Sequence, residues 1–353
     1  MSDTLCGQVP PFAWQMQEEA RKQAIPISGT FELTPRCNFN CRMCYVHLAD
    51  DRVAQFGEEM PVSEWIRLAE EARAAGMLYL CITGGDPLIW PGFEEFYRAV
   101  SQMGFFITLQ TNASLLSPRL RRLFDEYPPY LAKITVYGSN DDVYRDVCCV
   151  EHGFTRADAG IRTLKELGIP VFLVTTVIRQ NKDDLENIAR YAQSLDCPWI
   201  YSSAVHPSVR GAATEAEAVA IREEDADDYR DTIREMLTLP PRKENDKPCD
   251  YCKGHRTDFS VSWDGKLRFC NLMSEPDIPV RGRPLTAAWR ELVDYEEALR
   301  WPEECYSCEI KSICRVCAGT IATRSGSIKK VDRTYCDKMK QYVKEEKERM
   351  KNA

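Results

Sequence analysis

Apolar and polar positions along the chain fall into two kinds of stretch, and the two kinds alternate. Compact apolar and β-branched runs cover 30–33, 77–83, 105–110, 132–137, 171–177 and 199–203. Between them, apolar residues recur every three or four positions over 63–75, 93–103, 117–124, 157–167 and 185–195. The runs suit buried strands, and the wider period suits helices with one apolar stripe. Six strands alternating with helices predict an α/β fold with a parallel sheet. Ser63 is the expected N-cap of the first crossover helix. A leader, 1–28, has helical character over 14–23 and ends at Pro26.

Past residue 206 the pattern changes. A bridge, 207–247, opens small and acidic, then reads as a helix over 223–237 that stops at Pro240-Pro241, because proline breaks a helix. Residues 248–340 are rich in cysteine and contain an alternating hairpin, 259–263 with 266–269, joined at Asp264-Gly265, a strong turn dipeptide. A Lys/Glu-rich helix over 336–350 closes the chain, its end (341–353) carrying no assigned role. The expected organisation is therefore leader, sheet domain (29–206), bridge, cysteine-rich domain and terminal helix.

Composition narrows the function classes. No run approaches the ~18 apolar residues of a membrane span, and the N-terminus lacks the basic-then-apolar order of a signal peptide. A cytoplasmic protein without membrane contact is expected. The net charge of −8 is spread out, so no nucleic-acid partner is expected. Sixteen cysteines in that setting point to metal rather than disulfides, and only four histidines argue against a His-based zinc or haem enzyme.

The chemistry concentrates at Cys37, Cys41 and Cys44, a C-x3-C-x2-C loop just after the first strand. A [4Fe–4S] cluster normally takes four thiolates; three leave one iron open, as a catalytic metal site requires. A structural zinc site would want a fourth protein ligand, and His47 is the nearest histidine. This spacing resembles the signature of the radical S-adenosylmethionine (SAM) enzymes. In that family the amino and carboxylate groups of SAM chelate the fourth iron, and SAM is cleaved to methionine and a 5′-deoxyadenosyl radical. Met43 stands where the family usually has an aromatic residue.

The resemblance implies a partial (β/α)6 TIM-like barrel with its site at the C-terminal ends of the strands. Gly84-Gly85-Asp86-Pro87, ending the second strand, resembles the family's GGEP motif, which holds the SAM amino group, with Asp in place of Glu. Asn112, Thr135 and Ser202, at later strand ends, and Arg145, at the spacing of an arginine that pairs with the SAM carboxylate, complete the implied cofactor-binding set. Each has an ordinary alternative as a cap or loop hydrogen bond. Cys148-Cys149 falls in the loop before an expected Gly153-Phe154 turn; small packed side chains are the plainer reading there, as for Cys6, Cys81 and Cys197.

The tail is similar to the SPASM extension of radical SAM enzymes, a small cysteine-rich domain with a β-hairpin and helices. Its second half departs from the family spacing after Cys314, where two residues rather than three precede Cys317. The resemblance implies two auxiliary [4Fe–4S] clusters, one on Cys305, Cys308, Cys314 and Cys336, the other on Cys249, Cys252, Cys270 and Cys317. With the SAM cluster that makes three. It further implies a peptide-modifying enzyme that abstracts hydrogen from a ribosomal precursor peptide and forms a thioether or carbon–carbon crosslink. A reduced flavodoxin or ferredoxin would supply electrons, and the peptide would dock directly or through a separate recognition protein. Asp264 is the candidate base for the accompanying proton, against a plain hairpin-turn role. The alternatives are a sulfatase-type formylglycine maturase, a small-molecule dehydrogenase, or a non-catalytic iron–sulfur electron carrier.

Overall fold

The structure is a computed structural model that describes residues 11–208, 210–221, 227–243, 246–314 and 316–352. Cys6 and the first part of the expected helix at 223–237 lie outside them. The described residues form one nine-stranded sheet in the order β6-β5-β4-β3-β2-β1-β7-β8-β9. β1 (Ser28–Glu32), β2 (Tyr79–Thr83), β3 (Phe106–Thr111), β4 (Leu131–Thr135), β5 (Val171–Thr176) and β6 (Trp199–Ser202) run parallel, each joined to the next through helices. This is the expected α/β partial barrel.

Side chains alternate across such a sheet, and here the alternation separates core from lumen. Leu80, Ile82, Ile107, Leu109, Ala132 and Ile134 are buried beneath the outer helices, while Cys81, Thr83, Thr108, Gln110, Lys133 and Thr135, between them, are only half-buried. On β1, Phe31 faces outward against Trp65, their rings 5.0 Å apart. Its neighbour Glu32 must therefore face the lumen.

Two expectations need correction at the helices. The helix Val62–Ala74 is preceded by Pro61 with no side-chain cap, so Ser63 lies inside it. Residues Asp141–Cys148 form a helix capped by Asn140, whose side chain accepts from Asp142 and Val143 N–H, so Cys148 ends a helix rather than lying in a loop. Gly153 then opens the helix Gly153–Glu166 instead of making a turn. The Asn140 cap starts the helix Asp141–Cys148 where the apolar period is weak.

The larger difference lies at the other edge of the sheet. β7 (Asp258–Val261) pairs in parallel with β1, from Ser28↔Asp258 to Phe31↔Val261. β8 (Lys266–Arg268) and β9 (Ile278–Pro279) then add on antiparallel. The hairpin of the cysteine-rich segment thus extends the barrel's own sheet and brings Cys270 to the lumen end of β1. No helix among the described residues is long and apolar enough to cross a membrane.

Candidate active site

β1 runs directly into the cysteine loop, and β2 into the Gly84–Pro87 turn, so adjacent parallel strands deliver the two motifs side by side. Gly85 N–H donates to the Thr34 carbonyl at 2.7 Å and Asp86 N–H to the Arg36 carbonyl at 2.8 Å. A Cβ on Gly84 would sit 2.6 Å from the Thr34 carbonyl oxygen, and one on Gly85 2.3 Å from that of Arg36. Only glycine permits that approach. Pro87 opens a single 3-10 turn, Pro87–Ile89, and is buried.

Asp86 is wholly buried and spends both carboxylate oxygens inside the protein. Oδ1 accepts from Leu88 N–H at 3.0 Å; Oδ2 accepts from the Thr111 hydroxyl at 2.7 Å and Asn112 N–H at 2.8 Å. Burial pushes its pKa up against the pull of those bonds. Asp86 therefore ties the end of β2 to the end of β3. Asn112 carries the tie onward: its Nδ2 donates to Asn38 Oδ1 at 3.0 Å and lies 3.7 Å from Cys37 Sγ.

The far side of the cysteine loop is sewn to the helix Asp141–Cys148. Asn40 N–H donates to the Cys148 carbonyl and Arg42 N–H to that of Val147, each at 3.0 Å. Phe39, Cys41 and Met43 pack with Tyr144, Val147 and Cys148 in one apolar cluster, so Met43 packs, as its place in the motif implies. Cys148 is thus a buried helix-end residue, while Cys149 is exposed in a left-handed conformation.

The triad's donor set fits an iron–sulfur cluster. Cys37 Sγ accepts from Phe39 N–H at 3.4 Å and Cys44 Sγ from His47 N–H at 3.3 Å, bonds that favour thiolate. Burial pushes both thiols up, Cys37 further through the nearby Asp86 carboxylate, and Cys44 to about 11. Such thiols stay protonated at neutral pH until a metal takes the proton's place. Among the described residues no three His, Cys, Asp or Glu side chains converge as a ready single-ion site.

The remaining candidates divide. Thr135 ends β4 half-buried on the lumen side. Ser202 ends β6 exposed, its hydroxyl accepting from Ala204 N–H at 3.1 Å. Asp264 accepts from the Ser262 hydroxyl at 2.5 Å within the hairpin turn, where Gly265 takes a positive φ of 79°. Arg145 is not brought to the site: its side chain is 48% exposed and pairs with Asp142 at 2.6 Å and Glu151 at 3.0 Å. Arg145→Ala is therefore expected to change stability by under ~0.5 kcal/mol and to leave SAM affinity unaltered, as calorimetric titration would show.

The tail cysteines lie in two neighbourhoods. Around the first, a Cβ on Gly319 would lie 3.2 Å from Cys270 Sγ and 3.8 Å from Cys317 Sγ. Burial raises the Cys249, Cys252 and Cys270 thiols, and neighbouring cysteines add to it: Cys252 and Cys270 at Cys249, and Cys317 at both Cys252 and Cys270. Cys317 caps the helix Ala318–Ser325, its Sγ accepting from Thr320 N–H at 3.4 Å. The second set, Cys305, Cys308, Cys314 and Cys336, lines one cavity with Arg242, Trp301 and Tyr335. Here the Arg242 guanidinium lies 3.8 Å from the Trp301 ring centre and pulls the Cys305 thiol down, though burial still leaves it at about 11.

One pair escaped the sequence reading. Glu32, 2% exposed on its side chain, meets Arg210 in a two-bond fork, both bonds 2.8 Å. A carboxylate inside an apolar strand, five residues before Cys37, was the available signal for Glu32. Nothing local marks Arg210.

Residues 31–192 match the Radical SAM superfamily. The PqqA peptide cyclase of Ruegeria pomeroyi is 31% identical over 170 residues, 48% of this chain and 45% of that protein. The chain thus spans less than half the length of that relative. An AdoMet-dependent heme synthase of Methanosarcina barkeri is 23% identical over 84% of this chain and 92% of its own. Streptococcus suis SuiB, in its structure bound to precursor peptide SuiA, shares the fold with a TM-score of 0.68 and 14% identity, covering 95% of this chain and 84% of SuiB. With the triad, the glycine turn and strands β2 to β5 of the partial barrel lying inside the family match, residues 31–192 form a radical SAM domain.

Proposed function

We propose that the chain modifies a ribosomally made precursor peptide by radical chemistry, forming a thioether or carbon–carbon crosslink between its side chains. The observation that carries this reading is the cysteine triad beside the glycine turn, with eight further cysteines in two neighbourhoods of the same fold. Cys37, Cys41 and Cys44 would hold the SAM-binding [4Fe–4S] cluster, and the further cysteines the auxiliary clusters. When bound there with SAM, the triad's cluster would supply the electron for reductive cleavage of SAM. The protein's own work is placement. Asp86, Asn112 and the two glycines fix the loop, and the half-buried lumen above Thr108 and Thr135 shields one C–H bond from water.

The likenesses to a PqqA peptide cyclase and to SuiB, whose structure holds a precursor peptide, support a peptide substrate. The longer likeness to a heme synthase supports a second reading, a small-molecule substrate. A reduced flavodoxin or ferredoxin is the proposed electron source, and a separate recognition protein is one route for the peptide. The test is anaerobic reconstitution with SAM and dithionite. 5′-Deoxyadenosine must form, and a peptide encoded beside the gene should lose two hydrogen atoms by mass. An electron carrier would form no 5′-deoxyadenosine, and a peptide of unchanged mass would favour the small-molecule reading.

Crosslinking releases one electron and one proton from the substrate radical, and the auxiliary sites are the nearest acceptors in the chain. Cys270→Ala and Cys314→Ala are therefore expected to keep 5′-deoxyadenosine formation and lose crosslinked product. Iron counts and circular dichroism must accompany the assay, because metal binding and folding are coupled. Product at the normal rate from a folded variant lacking one cluster would make that cluster structural.

A further inference from the structure

The Glu32–Arg210 pair joins more than two residues. Besides its fork on Glu32, Arg210 donates through Nη2 to the Asn271 carbonyl at 3.3 Å. Asn271 follows Cys270, and its side-chain amide donates to the Tyr45 hydroxyl at 3.3 Å. Tyr45 follows Cys44. A residue next to a triad cysteine thus touches a residue next to an auxiliary cysteine, and Arg210 grips the backbone of the second.

The segment that carries Arg210 continues across the cysteine loop. Gly211, with a φ of 85°, passes so close to Phe56 that a Cβ there would sit 2.2 Å from the ring. The Thr214 hydroxyl and Glu215 N–H both donate to the Arg42 carbonyl, at 3.1 and 2.8 Å, and Arg42 Nη1 reaches the Glu215 carboxylate at 3.0 Å. Val219 closes onto the cluster around Phe39 and Cys41. Residues 210–219 therefore form a strap, pinned at Glu32 ahead of the triad and at Arg42 within its loop.

A buried ion pair is a poor way to gain stability, because desolvation cancels much of its attraction, whereas the planar fork of arginine on a carboxylate is highly directional. What the pair supplies is registration. We propose that Arg210 is a positioning residue for the reaction inferred above: by gripping Glu32 and the Asn271 carbonyl together, it holds the Tyr45–Asn271 contact closed and fixes the Cys270 site against the Cys44 site. The proposal rests on that reading for its purpose, not for its geometry. Arg210 also neutralises Glu32, whose carboxylate otherwise acts on Cys44 and Tyr45.

Full-length protein, reconstituted anaerobically, tests this through three measurements: amide hydrogen exchange, redox titration followed by electron paramagnetic resonance, and 5′-deoxyadenosine formation from SAM and dithionite. In Arg210→Gln, exchange over 210–219 and 271–273 is expected to quicken roughly tenfold while β1 and β2 stay protected. The potential of the auxiliary sites should fall, because an uncompensated buried carboxylate disfavours an added electron. The double variant Glu32→Gln/Arg210→Gln should restore the potential but not the protection. Arg210→Lys, which keeps the charge and loses the fork, should hold the potential while exchange still quickens. Tyr45→Phe, a milder change, should keep iron and quicken exchange over 271–273 alone.

5′-Deoxyadenosine formation should stay within about threefold in all of these, since the triad keeps its Thr34–Gly85 and Arg36–Asp86 bonds. Unchanged exchange in Arg210→Gln and Tyr45→Phe, or a potential that the double variant fails to restore, would overturn the proposal. So would loss of SAM affinity with iron retained, which would assign Arg210 to the SAM site itself. Failure of the wild-type protein to form 5′-deoxyadenosine would sink the functional reading instead, leaving the exchange and potential comparisons to decide this one.

Discussion

Replacing Cys37, Cys41 and Cys44 together by alanine is expected to abolish 5′-deoxyadenosine formation and to lower iron from roughly twelve atoms per chain to about eight. The two numbers test different things. Loss of activity alone could come from a collapsed barrel, but loss of one cluster's worth of iron, with the rest retained, locates the defect at the triad. Collapse is not expected. The loop that carries the triad is held through backbone atoms, by Gly85 and Asp86 on one side and by the Val147 and Cys148 carbonyls on the other. Those bonds survive removal of the thiols. The tail cysteines sit on other segments, after β8 and around Trp301, and pack apart from the triad's cluster. Iron analysis, circular dichroism and a SAM-cleavage assay on the same preparation settle the point. Retained 5′-deoxyadenosine, or tightly bound zinc with little iron in the parent protein, would remove the triad from its assigned role.

Asp86→Ala is expected to be the most damaging single change at the SAM site. Alanine would strand the Thr111 hydroxyl, the Asn112 N–H and the Leu88 N–H without their acceptor. Each unsatisfied buried donor costs about 1–3 kcal/mol, so a loss of roughly 3–5 kcal/mol in unfolding free energy is expected, measured by denaturant titration. The functional effect travels through Asn112. Once its backbone is released, the amide that braces Asn38 and Cys37 loses its registration, and SAM affinity should fall by at least about tenfold. Asp86→Asn should not rescue it, because an amide NH2 would face a second donor at one oxygen position or the other. Iron at the triad should be kept, since no thiol is touched. Unaltered SAM affinity in a folded variant would make Asp86 a structural residue only.

Asp86 also marks where sequence reading reaches its limit. Its spacing pointed to a carboxylate beside SAM, and the turn does lie against the cysteine loop. Yet the direction of the carboxylate depends on β3, 25 residues further on, whose end supplies Thr111 and Asn112. Arg145 shows the same limit from the other side. Its distance from β4 suited a SAM contact, but the helix that carries it buries Tyr144, Val147 and Cys148 and so turns Arg145 to solvent.

By itself the sequence determined the six alternating strands, the cysteine triad, the glycine turn and the hairpin turn at Asp264-Gly265. These signals are local: a hydrophobic period, a ligand spacing and a turn dipeptide each act within a few residues. Only the tertiary structure decided that β7 lies in parallel on β1, more than 200 residues away in the chain. It alone placed Glu32 against Arg210 and Tyr45 against Asn271. Parallel pairing needs no turn to announce it, and a buried ion pair between distant segments leaves no period behind. Such contacts are set by which faces meet once the sheet has formed, and that choice is made by packing and desolvation across the whole molecule.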